Sequence, residues 1–149
     1  MSLIKKPETT EKALPTDSLA YLAGRLMIGM SMFGHGLVRI PKIPEFSDWM
    51  MHTFADSMVP TFIVQGFSTL LPIGELAVGV LLLLGFFTRQ AALTGALLMS
   101  ILIFGTCMIE NWDAIGLQLL HGAFFLFLLY HRDENLLSLD AVFNKRTVA

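Results

Sequence analysis

The chain has 149 residues, of which 54% are apolar and 15% charged, with a formal net charge of -2 and a mean hydropathy of +0.66. Soluble domains carry roughly 25% charged residues, so the composition argues against a soluble globular fold and against disorder, and no basic run exceeds Lys5-Lys6, which leaves no footprint for nucleic acid. Cys107 is the single cysteine, which rules out an internal disulfide, a Cys-x-x-Cys redox pair and a cysteine-based metal knuckle.

The first apolar stretch, Leu19 to Val38, is 20 residues and rises about 30 Å as a helix, the thickness of the hydrocarbon layer. Thr16, Asp17 and Ser18 precede it as candidate N-caps, and Pro41 with Pro44 ends it. The segment from Glu45 to Met58 puts Phe46, Trp49, Met50, Phe54 and Met58 near one helical face, which predicts a short amphipathic interfacial helix lying flat on the outer surface. The second stretch, Phe62 to Phe87, is 26 residues, and Pro72 inside it should kink it by leaving the Ser68 carbonyl unpaired. The third, Ala91 to Ile109, and the fourth, Ala114 to Tyr130, are 19 and 17 residues.

Only Thr88-Arg89-Gln90 and Glu110-Asn111-Trp112-Asp113 separate the last three stretches, so these helices must be antiparallel neighbours. Beyond them, Leu136, Leu139 and Phe143 behind Asp133-Glu134 predict a short surface helix. No run alternates with period two, as barrel strands require. The expectation is an all-α polytopic membrane protein, an up-down four-transmembrane-helix bundle forming one domain over 1–149, with tails 1–18 and 131–149.

Lys5, Lys6, Lys12, Arg89, Arg132, Lys145 and Arg146 fall on one side of this arrangement, against Arg39 and Lys42 on the other. Positive charge marks the cytoplasmic side, so both termini are expected there, in a prokaryotic inner membrane. No small-x-small cleavage site follows a short apolar core, so the first helix is expected to stay.

Arg25, His35, Glu75 and His121 are ionisable groups inside otherwise oily helices, each costing about 2.5–3.5 kcal/mol mid-helix on insertion scales. Each therefore needs a partner or a function. Arg25 extended along its helix toward Glu75 would form a charge-assisted pair; alternatively, or as well, Glu75 is a proton carrier or ligand contact. His35, in Gly34-His35-Gly36, is either an interface hydrogen bonder or the contact for a planar ligand that the thin glycine surface admits. His121 shares a face with Gln118 at i, i+3, a pair that either glues helices or lines a site. Along-helix arithmetic puts the two histidines at depths about 6 Å apart, so haem is not expected, and no metal is predicted. The nine methionines read as core and lipid contacts, and Cys107 as an inert buried thiol.

Arg25-Leu26-Met27-Ile28-Gly29, Phe33-Gly34-His35-Gly36-Leu37, Gly74-Glu75-Leu76-Ala77-Val78-Gly79 and Leu81-Leu82-Leu83-Leu84-Gly85-Phe86-Phe87-Thr88-Arg89 closely resemble the DoxX family of small four-helix membrane proteins. The resemblance runs from about Leu19 to Tyr130. Where the family often has Lys a few residues after the His-Gly pair, this chain has Arg39 followed by Pro41-Lys42. The family is similar to DoxD, the membrane subunit associated with thiosulfate:quinone oxidoreductase, and other members are linked to membrane oxidoreductase complexes and oxidative-stress defence. By this likeness Arg25, His35 and Glu75 are the polar motif residues, to which the residues themselves add His121.

The resulting expectation is a membrane subunit of a redox system. A quinone-like ring would enter from lipid and meet His35 or His121, with Glu75 handling the proton; Glu75 and His35 are the candidate catalytic pair. Arg25, His35, Glu75, Gln118 and His121 are the candidate cofactor contacts. No haem-attachment, iron-sulfur or flavin motif is present, so electrons would come from a protein partner. The competing expectations are a non-catalytic anchor or accessory subunit and a small-solute transporter. Expected partners are the bilayer and another protein or a second copy of the chain, with no nucleic acid.

Overall fold

The computed structural model describes residues 14–147, with side chains to Phe143. Six helices are present: α1 (Thr16–Arg39), α2 (Ile43–Thr53), α3 (Thr61–Leu84), α4 (Thr88–Met108), α5 (Trp112–Tyr130) and α6 (Leu139–Thr147), with no strand among the described residues. The four long helices coincide with the four expected stretches to within a few residues at each end. Three of them, α3, α4 and α5, are long and apolar enough to cross a membrane. α1 has the length of α3 but carries Arg25, Ser31, His35 and Arg39.

Contacts between residues distant in the chain fix the direction of each helix. Ser18 Oγ donates to Glu134 Oε2 at 3.0 Å, Tyr21 Oη donates to the Leu128 carbonyl at 3.2 Å, and Arg25 Nη2 donates to the Leu137 carbonyl at 2.8 Å. The start of α1, the end of α5, the α3–α4 turn and the C-terminal segment therefore share one end of the bundle, called here the lower end. The long helices run alternately up and down. Tyr21, Ile28, Met32, Val78, Leu82, Ala91, Ala92, Met99, Phe125 and Leu128 form the common core.

α1 and α3 meet backbone to backbone. A Cβ on Gly36 would collide with the backbone of Leu76, and one on Gly79 with that of Phe33, so the two helices interlock through glycines facing opposite ways. Gly34, on the other side of His35, has nothing within 4 Å of such an atom. The two glycines flanking His35 thus have different roles: one admits a helix and the other faces open space.

Several local expectations were corrected. None of Thr16, Asp17 and Ser18 caps α1, whose N-cap is Pro15 without a side-chain bond; Ser18 is spent on Glu134 instead. Pro41 and Pro44 occupy first-turn positions of the short 3-10 turn Ile40–Lys42 and of α2, where a missing N–H costs nothing. They redirect the chain rather than stop it. α3 is helical without interruption through Pro72, which is buried.

At the lower end, α3 ends on Gly85 with φ 65°, a left-handed cap that glycine adopts at no steric cost. Phe87 is also left-handed, at φ 47°, an unfavourable conformation for a bulky residue. It is held by Asp140, whose carboxylate accepts the Phe87 and Thr88 N–H groups at 2.8 Å each. α6 therefore caps the N-terminus of α4 from outside, and Leu136 lies in the connection that delivers it rather than in the helix.

Gly36→Ala or Gly79→Ala is expected to lower stability by about 1–3 kcal/mol, the usual cost of overpacking, while Gly34→Ala stays within about 0.5 kcal/mol of the parent. Unfolding of the three variants in the same detergent checks this, and equal losses at positions 34 and 36 would contradict the interlock.

Candidate functional site

Spacing along each helix brings the polar residues to one place at the upper end. α1 presents Met32, His35 and Arg39 at i, i+3 and i+7, α3 presents Leu71 and Glu75, and α5 presents Leu117, Gln118 and His121; each set lies on a single helical face. Between them, closed on the far side by α4, is a half-open cavity of about 710 Å³. That is within the usual range for small-molecule sites. Its wall is apolar except for a few side chains, and five of the nine methionines line it, which makes the wall adaptable in shape.

α2 is the roof of this cavity. Phe46, Trp49, Met50, Phe54 and Met58 all line it, Met50 is buried, and the Ser47 and Ser68 hydroxyls are hydrogen-bonded at 2.8 Å. The amphipathic face expected to lie flat on the outer surface thus closes over an interior space. Ser68, one turn before Pro72, also donates to the Gln65 carbonyl at 2.9 Å.

The expected pair of Arg25 with Glu75 does not form. Arg25 packs against Gly85, ten residues beyond Glu75 on α3, or about 15 Å along the helix. Its Nη2 donates to Leu137, and Nε and Nη1 are buried with no hydrogen-bond partner among the described residues. The C-terminal end of α3, whose dipole favours a cation, faces it there. Arg25 does not line the cavity.

Glu75 is held instead by Arg39, whose Nη1 donates to Oε1 at 2.6 Å and to Oε2 at 2.7 Å. The same guanidinium stands 5.0 Å from the centroid of the Phe46 ring, a cation–π distance. One side chain therefore joins the end of α1 to the middle of α3 and to the roof. Arg39 lies one residue beyond the apolar stretch that ends at Val38, at the expected headgroup level, which hides it as a partner for a mid-span carboxylate. Its position seven residues after Met32 and four after His35, on the same face, is the signal that would have found it.

Gln118 and His121 do share a face, but each bonds to a different helix. Gln118 Nε2 donates to Thr106 Oγ1 of α4 at 2.8 Å. His121 Nε2 is 2.9 Å from Ser31 Oγ of α1, and its Nδ1 is 2.8 Å from the Leu117 carbonyl. The rings of His35 and His121 meet edge to face with centroids 6.1 Å apart. Ser31 and Thr106 were not among the candidates; short hydroxyls inside an apolar helix give no sequence signal of which neighbour they serve. Among the described residues no group of three or more His, Cys, Asp or Glu side chains could hold a metal ion.

An all-helical bundle with membrane-capable helices and a half-open, largely apolar cavity under an amphipathic roof defines a membrane protein with room for a lipophilic ligand. The DoxX family model matches residues 20–107, which covers α1 to nearly the end of α4, and the chain belongs to the DoxX family. No curated protein and no solved structure matches it.

Glu75→Gln leaves the Arg39 cation without its counter-charge and is expected to cost about 2–3 kcal/mol, less than for a fully buried pair because the Arg39 side chain is 30% exposed. Adding Arg39→Met should recover most of that loss, as measured by a double-mutant unfolding cycle. An additive double variant would mean that the pair is not coupled.

Proposed function

We propose that this protein is an integral membrane subunit of a redox system, with four spans, both termini on the cytoplasmic side of a prokaryotic inner membrane, and a quinone-type ring bound in the cavity. The observation that carries the reading is the cavity itself: a largely apolar space of about 710 Å³ opening from the bundle, with a few polar side chains among its lining. A ring with carbonyl oxygens suits that distribution. A quinone in this position supplies an acceptor for two electrons and two protons, and a partner protein or a second redox subunit supplies the electrons.

In this reading each residue has its own part. His35 contacts the ring, Glu75 with Arg39 forms the charged end of the wall and is the carboxylate placed to exchange a proton there, and Gln118 with His121 shapes the opposite side. Phe46 and Trp49, whose rings stack at 5.9 Å, cover the space. Arg25 belongs to the helix-locking contacts of the lower end.

The second reading is a non-catalytic accessory subunit, and one observation favours it: the polar pairs all connect different helices, Arg39–Glu75 joining α1 to α3, Ser31–His121 joining α1 to α5, and Thr106–Gln118 joining α4 to α5. The Arg39→Met/Glu75→Gln double variant separates the two. If it folds as the parent does but loses at least tenfold in partner-driven quinone reduction by membranes, the redox reading stands. Full activity in that variant, together with no quinone in extracts of the purified parent, would leave only the scaffold.

A further inference from the structure

Most polar residues of the cavity wall are engaged with one another or with neighbouring backbone. Arg39 meets Glu75 through both carboxylate oxygens, so the wall carries no net charge there. Gln118 Nε2 donates to Thr106 Oγ1, whose own proton goes to the Leu102 carbonyl at 2.7 Å. In the neutral His121 ring, Nδ1 must carry the proton, because the Leu117 carbonyl can only accept, and Nε2 then accepts from the Ser31 hydroxyl.

His35 differs from all of these. Among Arg39, Glu75, Thr106, Gln118, His121 and His35, it alone has no hydrogen bond to the described residues, its ring packing edge to face on His121; Asn111, which also lines the cavity without a side-chain hydrogen bond, lies in the connection between α4 and α5. It lines the cavity and is exposed. Gly36 behind it is locked against α3 and fixes the backbone that carries it. A neutral imidazole in that state offers one N–H and one bare nitrogen.

Resting on the reading of the cavity as a ligand site, we infer that His35 is its specificity-determining contact, holding an uncharged lipophilic molecule by a single carbonyl or hydroxyl oxygen, and that sulfur oxyanions do not bind there. The imidazole serves both states of such a head: its N–H donates to a carbonyl, and its bare nitrogen accepts from a hydroxyl. An oxyanion fares differently. It would leave water for a largely apolar wall whose cation is already compensated, and it would stand beside the Glu75 carboxylate, so neither desolvation nor repulsion is offset. Any oxidation of a sulfur oxyanion coupled to this subunit must therefore occur on a partner, with only the uncharged acceptor meeting this chain.

The test uses the full chain in nanodiscs of phosphatidylethanolamine and phosphatidylglycerol. With Trp112→Phe as background, Trp49 on the cavity roof is the remaining tryptophan, and its quenching by decylubiquinone gives an apparent Kd. His35→Leu is expected to weaken binding roughly three- to tenfold, the worth of one hydrogen bond. His35→Gln, which keeps a donor and an acceptor, should restore most of it, with the ligand-free Tm of both variants unchanged. Thiosulfate at millimolar concentration should neither quench nor compete. Binding indifferent to His35→Leu, or thiosulfate displacing decylubiquinone, overturns this inference alone. Failure of the Trp112→Phe protein with His35 intact to bind decylubiquinone overturns the quinone reading along with it.

Discussion

A carboxylate in the middle of an apolar helix must be neutralised or paired, and Glu75 is paired by the residue on which α1 ends. From that one contact much of the upper end follows. Arg39 cannot reach Glu75 unless α1 and α3 lie close together, which the glycine interlock at Gly36 and Gly79 permits. Once there, its guanidinium lies over Phe46 and draws the first turn of α2 inward. The roof, the charged end of the wall and the position of His35 one turn below Arg39 are therefore set together.

The lower end solves a different problem. Its buried cation, Arg25, has a backbone carbonyl and the end of α3 for company rather than a carboxylate, and Gly85 is obligatory both for its left-handed backbone and because a side chain there would displace the guanidinium. α6 closes this end by lending Asp140 to α4. The cavity end carries an ion pair beside open space, whereas this end is packed. That division of labour gives the bundle one packed end and one with an open cavity.

Most of the architecture was legible in the sequence because hydrocarbon imposes a long, simple signal: each of the four apolar stretches returned as a helix with ends shifted by only a few residues. The family was legible too, from the order and spacing of its glycines and polar residues. Partner choice was not. Arg25 and Arg39 are both arginines of α1, and a one-dimensional depth scale favoured Arg25, the one inside the apolar stretch, whereas the register of α1 against α3 favours the other. The role of α2 was half legible: its apolar face was visible as a period, but a period does not say whether lipid or a cavity lies beneath it. Ser31, Thr106 and Asp140 were invisible for the same reason, since each acts through a neighbour distant in the chain.

Arg39, and not Arg25, neutralises Glu75 and so frames the cavity. Magic-angle-spinning NMR of the protein in lipid, with labelled arginine guanidinium nitrogens and labelled glutamate carboxylates, measures this directly when each arginine is assigned by Arg25→Lys and Arg39→Lys variants. A strong nitrogen–carboxylate coupling to Glu75 is expected to persist in Arg25→Lys and to shift or vanish in Arg39→Lys, matching contacts of 2.6 and 2.7 Å. A coupling that survives Arg39→Lys and disappears with Arg25→Lys would contradict that pairing.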